Sequence, residues 1–138
     1  MSYNMAAEDK MKNAWELLDL ALKELKASEK EPVKIRDAAE KAWGATASAV
    51  EALIEVKTGE EIEKGRERSR KLVNLEDNKM IPEEMNIVKR YYIREDILHG
   101  DCFYSGKCEP RNEIERRIKE TKLLLNDIQK LIKVKTKE

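Results

Sequence analysis

The sequence predicts an all-α fold, an up-and-down bundle of about five helices, and three observations lead there. Apolar residues recur at the spacing of one helix face over long stretches. Short breaks at Ser28–Pro32, Thr58–Gly59 and Gly100 separate those stretches. Charged and hydrophobic residues each make up 41% of the 138 residues, with only five Gly and three Pro, a balance that suits helices with solvated outer faces. This length builds one domain with a real core, and no repeat, linker or boundary divides residues 1–138.

The first helix is expected from about Asn4 to Ala27, where Ala14, Leu18, Ala21, Leu22 and Leu25 share a side. Ser28-Glu29-Lys30-Glu31-Pro32 breaks it, and Pro32 suits the first turn of the next helix, where its missing N–H costs nothing. The second helix, about Pro32 to Lys57, is the most apolar: Ile35, Ala38, Ala39, Ala42, Thr46, Ala49 and Leu53 form one stripe, with Trp43, Val50 and Ile54 beside it. So many alanines let neighbouring helices approach closely, which places this helix at the centre. Gly59 ends it as the C′ residue.

A third, more polar helix is expected over about Glu60 to Asn78, anchored by Ile62, Leu72, Val73 and Leu75. The fourth runs from about Pro82 to His99 and closes on Gly100; a loop spans Asp101 to Arg111. The last, about Asn112 to Lys133, buries Ile114, Ile118, Thr121, Leu125, Ile128 and Ile132, and the tail from Lys133 to Glu138 frays. Met5, Met11, Met80, Met85, Trp15 and Trp43 are expected in the core.

The fourth helix carries two stripes. At about 100° per residue, Ile81, Met85, Val88, Tyr92 and His99 share one face, while Ile87, Tyr91, Arg94 and Leu98 share another. A surface helix needs only one apolar stripe. A homodimer through this helix is the simplest use for the second, since a two-fold axis lets one surface bind its own copy. An interior helix of a single bundle is the alternative.

Net charge is zero, so contact with nucleic acid or membrane would need a local patch. No apolar run approaches the roughly 20 residues that span a bilayer, and the N-terminus lacks the basic start and apolar segment of a signal peptide. A cytoplasmic protein is expected. Abundant Lys and Glu with a single Gln, Gln129, follows a thermophile's composition.

The segment Tyr91-Tyr92-Ile93-Arg94-Glu95-Asp96-Ile97-Leu98-His99-Gly100 holds the sole histidine, five residues after an arginine. Arginine can hold a phosphate and histidine moves protons near neutral pH. Metal-free RNA cleavage needs both: a group taking the 2′-hydroxyl proton and a cation on the phosphate. The same residues also read as a helix stop that complements the last carbonyls and the dipole. Cys102 and Cys108 are open to a disulfide, reduced thiols or, with His99, metal binding, although a fourth ligand is missing and the spacing matches no common zinc pattern. Phe103 and Tyr104 read as packing anchors. The basic run Lys64, Arg66, Arg68, Arg70 and Lys71 could contact phosphates, but Glu60, Glu61, Glu63 and Glu67 interleave with it, and Glu63–Glu67–Lys71 and Glu60–Lys64 have the spacing of a solvated helix face. There is no Gly-rich phosphate loop and no serine nucleophile elbow; neither cofactor nor metal is expected.

Arg94-Glu95-Asp96-Ile97-Leu98-His99 resembles the R-x4-6-H motif of the HEPN superfamily. Asp37-Ala38-Ala39-Glu40-Lys41-Ala42-Trp43 and Ala45-Thr46-Ala47-Ser48-Ala49-Val50 are similar to the Ala-rich second helix of those proteins. With Leu98-His99 and Phe103-Tyr104, the chain looks most like the archaeal PaREP branch, over about residues 6 to 130. The resemblance implies a dimerising helical bundle with both motifs at the interface. Many members are metal-independent endoribonucleases; others bind nucleotides or serve, without catalysis, as antitoxin-like helical partners of nucleotidyltransferases. Carried over, Arg94 holds the scissile phosphate and His99 is the general acid/base. Binding of RNA or a nucleotide would also draw on Glu95, Tyr91, Tyr104, Arg68 and Arg70. One departure bears on cleavage: active members often carry Asn, Asp or His directly after the arginine, where this chain has Glu95, a carboxylate that repels phosphate unless a cation neutralises it.

Overall fold

A computed structural model of the chain describes residues 2–135, with side-chain burial over 6–133. It is all-helical in its regular structure: α1 (Ser2–Ala27), α2 (Lys34–Thr58), α3 (Arg66–Asp77), α4 (Ile87–Ile93) and α5 (Arg111–Lys135). α4 continues directly into a π-helix, Arg94–Tyr104. Among the described residues, no helix is long and apolar enough to cross a membrane.

α2 is the centre, as its alanines predict. It touches α1, α3, α4, the π-helix and α5 and buries 15 of its 25 residues. Ala38, Ala39, Ala42, Ala45, Ala49 and Ala52 are fully covered, and their short side chains bring α1 and α5 close to its axis. Leu53 and Ile54 fill the wider gaps with Leu124, Leu125 and Ile128 of α5. Gly59 closes α2 with φ +77°, and its N–H bonds the Glu55 carbonyl at 2.8 Å, the left-handed cap that glycine makes without steric cost.

α1 and α2 run antiparallel: Asn13 meets Ser48, and Lys41 meets Glu24. Glu55 is only 1% exposed, and Lys10 of α1 supplies its counter-charge while also reaching Glu51 at 3.2 Å. Burial would lower the Lys10 pKa, but its hydrogen bonds to Glu55 and Glu51 outweigh that, and the net direction is upward.

The elements differ from the sequence expectation where tertiary contacts override local pattern. α2 starts at Lys34, so Pro32 sits in the preceding turn rather than in the helix. α3 starts at Arg66, not Glu60, because the chain before it is drawn onto α2: Ile62 is buried and donates its N–H to the Glu55 carboxylate at 3.3 Å. Glu60 and Lys64 are therefore not on one helix face, and Lys71 pairs with Glu60 instead.

A short 3₁₀ turn (Glu83–Met85) and Asn86 at φ 57° precede α4, so it starts five residues later than Pro82. Gly100 does not stop the helix. The π-helix runs through it to Tyr104, with the Ser105 N–H bonding the Gly100 carbonyl at 3.0 Å. Contacts beyond Gly100 hold this continuation: Arg36 of α2 donates through Nε to the Phe103 carbonyl at 3.2 Å, and Cys102 is fully buried. The loop is thereby cut to residues 105–110.

Met80 is 44% exposed rather than buried, and the Met5 side chain lies outside the described residues, as does part of the tail for which fraying was expected. Met11 is core; Met85 and Trp15 pack at its edge.

Lys10→Met leaves the Glu55 carboxylate buried without its cation and is expected to cost about 3–5 kcal/mol in urea unfolding. Adding Glu55→Gln, which removes the stranded charge, is expected to recover a large part of that loss. Equal stability of Lys10→Met and wild type would show that this pair does not secure α1 to α2.

Candidate functional site

Glu40, Trp43, Glu51 and Glu55 of α2 are three, eight and four residues apart, each close to whole helical turns, and so share one face. α3, α4 and the π-helix bring partners to Glu40, Trp43 and Glu51, while Glu55 takes Lys10 of α1 and the Ile62 N–H. Arg68 of α3 donates to Glu51 through Nε at 2.9 Å and Nη2 at 2.8 Å. It also lies 5.8 Å from the Trp43 ring and 3.4 Å from the Tyr91 hydroxyl. Burial would lower the Arg68 pKa; the bonds to Tyr91 and Glu51 reverse that and raise it. Tyr91 is buried, which pushes its phenol upward, with Arg68 pulling the other way and Glu95 adding to the rise.

His99 sits further along the same face. Its Nδ1 is 2.8 Å from Glu40 Oε1, and the two side chains are 38% and 33% exposed. The ring is 5.7 Å from Trp43, stacks on Phe103 at 6.3 Å with 17° between planes, and meets the edge of Tyr104 at 6.5 Å. Tyr104 is 77% exposed, so it is not a packing anchor; it projects from the rim of the site. Cys102 and Cys108 form a disulfide that closes the loop behind Phe103 and Tyr104, which resolves the alternatives their spacing leaves open. No group of three or more metal-ligating side chains occurs among the described residues.

Arg94 is elsewhere. It is buried between the π-helix and α5, where its Nε donates to Thr121 Oγ1 at 3.0 Å. Its terminal nitrogens donate to the Arg90 and Arg117 carbonyls at 3.2 and 3.3 Å. Among the described residues, no carboxylate pairs with it. Burial above all, with Arg90 and Arg117 nearby, pushes its pKa down to about 10. Glu120 partly opposes that depression, and the guanidinium keeps its proton at neutral pH.

Of the residues singled out in the sequence, Arg68, Tyr91, His99 and Tyr104 are thus brought to one face, with Glu95 at its edge. Arg94 is turned towards α5. Arg70 is exposed on α3 beside a shallow hollow lined by Thr58, Asn74 and Met80. Sequence reasoning missed Glu40 and Glu51 as partners of this face. Their signal was available: carboxylates at helical spacing on the helix that is otherwise the most apolar.

Fold and site together define an all-helical protein whose central helix presents a line of charged and aromatic groups beneath a π-helix. The chain belongs to the archaeal PaREP1/PaREP8 family, whose model matches residues 10–137. No curated protein and no solved structure matches it.

Two predictions follow from this geometry. Arg94→Met is expected to unfold within about 1 kcal/mol of wild type or to be more stable, because an apolar replacement of similar length removes an unpaired buried charge while Thr121 keeps its 2.8 Å bond to the Arg117 carbonyl. A loss of several kcal/mol in urea unfolding would make Arg94 a structural pillar. The Cys102→Ser/Cys108→Ser double variant is expected to lose only about 2 kcal/mol, as befits a short cross-linked loop; global unfolding would contradict this.

Proposed function

We propose that the chain is a HEPN-like homodimer that binds RNA or a nucleotide at the His99 face, with metal-independent endoribonuclease activity as its catalytic form. One observation carries this reading: His99 is half-exposed, fixed at Nδ1 by a carboxylate and flanked by aromatic rings. An imidazole in that setting can exchange protons with a ligand hydroxyl, and Tyr104 offers a base an exposed ring.

Dimerisation through α4 and the π-helix draws support from the second stripe. Val88 and Ile97 are only partly covered and Tyr92 is 37% exposed, so a second copy would bury them and bring two His99 faces together. In this reading His99 is the acid/base group, and Arg94, turned to α5, takes no part within one chain. Arg68, which lies over Trp43 as His99 does, is the cation on the same side.

A second reading has a specific observation in its favour. Arg94 is committed to Thr121 and two carbonyls, so one chain does not assemble an arginine–histidine pair. The His99 face would then dock another protein, as an antitoxin-like partner of a nucleotidyltransferase does, without chemistry.

The test incubates structured and single-stranded RNA with wild-type and His99→Ala protein in EDTA, with the mass in solution measured by light scattering. The nuclease reading expects a dimer, cleavage by wild type alone and 2′,3′-cyclic phosphate ends. Saturable binding without cleavage would leave a binding protein. Neither binding nor cleavage, or equal cleavage by both proteins, would remove RNA from the account and favour the docking reading.

A further inference from the structure

His99 has two ring nitrogens, and which one carries the proton is set by what the other touches. Nδ1 faces Glu40 Oε1 at 2.8 Å, and neither ring nitrogen has a second hydrogen-bonding partner among the described residues. Aromatic rings flank the imidazole: Trp43 lies at 5.7 Å and Phe103 stacks at 6.3 Å. Phe103 is itself held, because Arg36 grips its carbonyl and Cys102, its neighbour, is buried and cross-linked. Glu40 stands on α2, the central helix of the bundle, and makes no other ion pair among the described residues.

We infer that Glu40 is the positioning residue of this site: its carboxylate holds neutral His99 as the Nδ1–H tautomer and leaves Nε2 as the proton-accepting nitrogen. When His99 takes up a proton it does so at Nε2, and Glu40 then pairs with the resulting imidazolium. Proton exchange with any ligand runs through Nε2 in both directions. Glu40 itself gains and loses no proton in that cycle; it fixes the tautomer and aim of the ring. This is the arrangement in which a third group orients a general base. The inference deepens the reading of His99 as an acid/base group and rests on it for consequences in activity, but the tautomer is measurable without any ligand.

His99 is the only histidine in the chain, so tag-free ¹⁵N-labelled protein gives one imidazole to observe. A long-range ¹H–¹⁵N spectrum, recorded after titration until the ring is neutral, reads the tautomer directly. Wild type is expected to show a protonated Nδ1 and an unprotonated Nε2. Glu40→Ala is expected to shift the ring to the Nε2–H form preferred in water, while Glu40→Gln, whose side-chain carbonyl still accepts a hydrogen bond, retains much of the wild-type pattern. A thermal melt of each variant separates this from a merely structural role, which would lower the melting temperature without changing the tautomer. An Nε2–H ring in wild type, or an unchanged ring in Glu40→Ala, would overturn the inference. The expected tautomers together with no RNA cleavage or binding would keep Glu40 as the positioning group and sink the nucleic-acid reading alone.

Discussion

The structure depends on one constraint: α2 is flanked by α1, α3, α4, the π-helix and α5, so the polar groups on its covered sides need partners inside the protein. Buried polar groups are costly unless bonded, and α2 carries several. Thr46 bonds back to the Ala42 carbonyl, Ser48 donates to the Lys10 carbonyl, and Glu55 takes Lys10 and the Ile62 N–H. Glu51 takes Arg68, and Glu40 takes His99. The bonds of Ser48 and Glu55 fasten α1 and the approach to α3; those of Glu51 and Glu40 build the candidate site. Fold and site are thus the same device continued along one helix face.

The π-helix is the second determinant, because it carries both Arg94 and His99 and lies against both α2 and α5. Its widened turn follows i→i+5 bonds, so angles counted at 100° per residue no longer apply beyond Arg94. Arg94 is directed to α5 and His99 to α2. The two flanking helices are themselves neighbours on the other side of the bundle, and the π-helix bridges them. A π segment is uncommon and recurs at functional sites, which agrees with the half-exposed histidine it carries.

Much of this was legible in the sequence. The extents of α1, α2 and α5 follow from apolar period and clear punctuation, and the alanines of α2 announce a centre that neighbours approach closely. The glycine cap at Gly59 was readable because its local chemistry is decisive. The start of α3 was not, since it depends on Ile62 bonding Glu55, a residue whose burial no local pattern reveals. Gly100 misled for the same reason: Arg36, 67 residues from Phe103 in the chain, carries the helix past a residue that normally ends one. Tyr91, Arg68 and His99 were recognisable by type. Their convergence on Trp43, and the departure of Arg94 from them, required the three-dimensional arrangement of α2, α3 and the π-helix.

The measurement that tests the account most directly is a chemical-shift map of ¹⁵N-labelled protein titrated with a short single-stranded RNA. Placement of RNA binding on the α2 and π-helix face predicts saturable shifts over residues 40–43 and 91–104, including the His99 ring. Shifts confined to α3 around Arg70, or none at all, would contradict it.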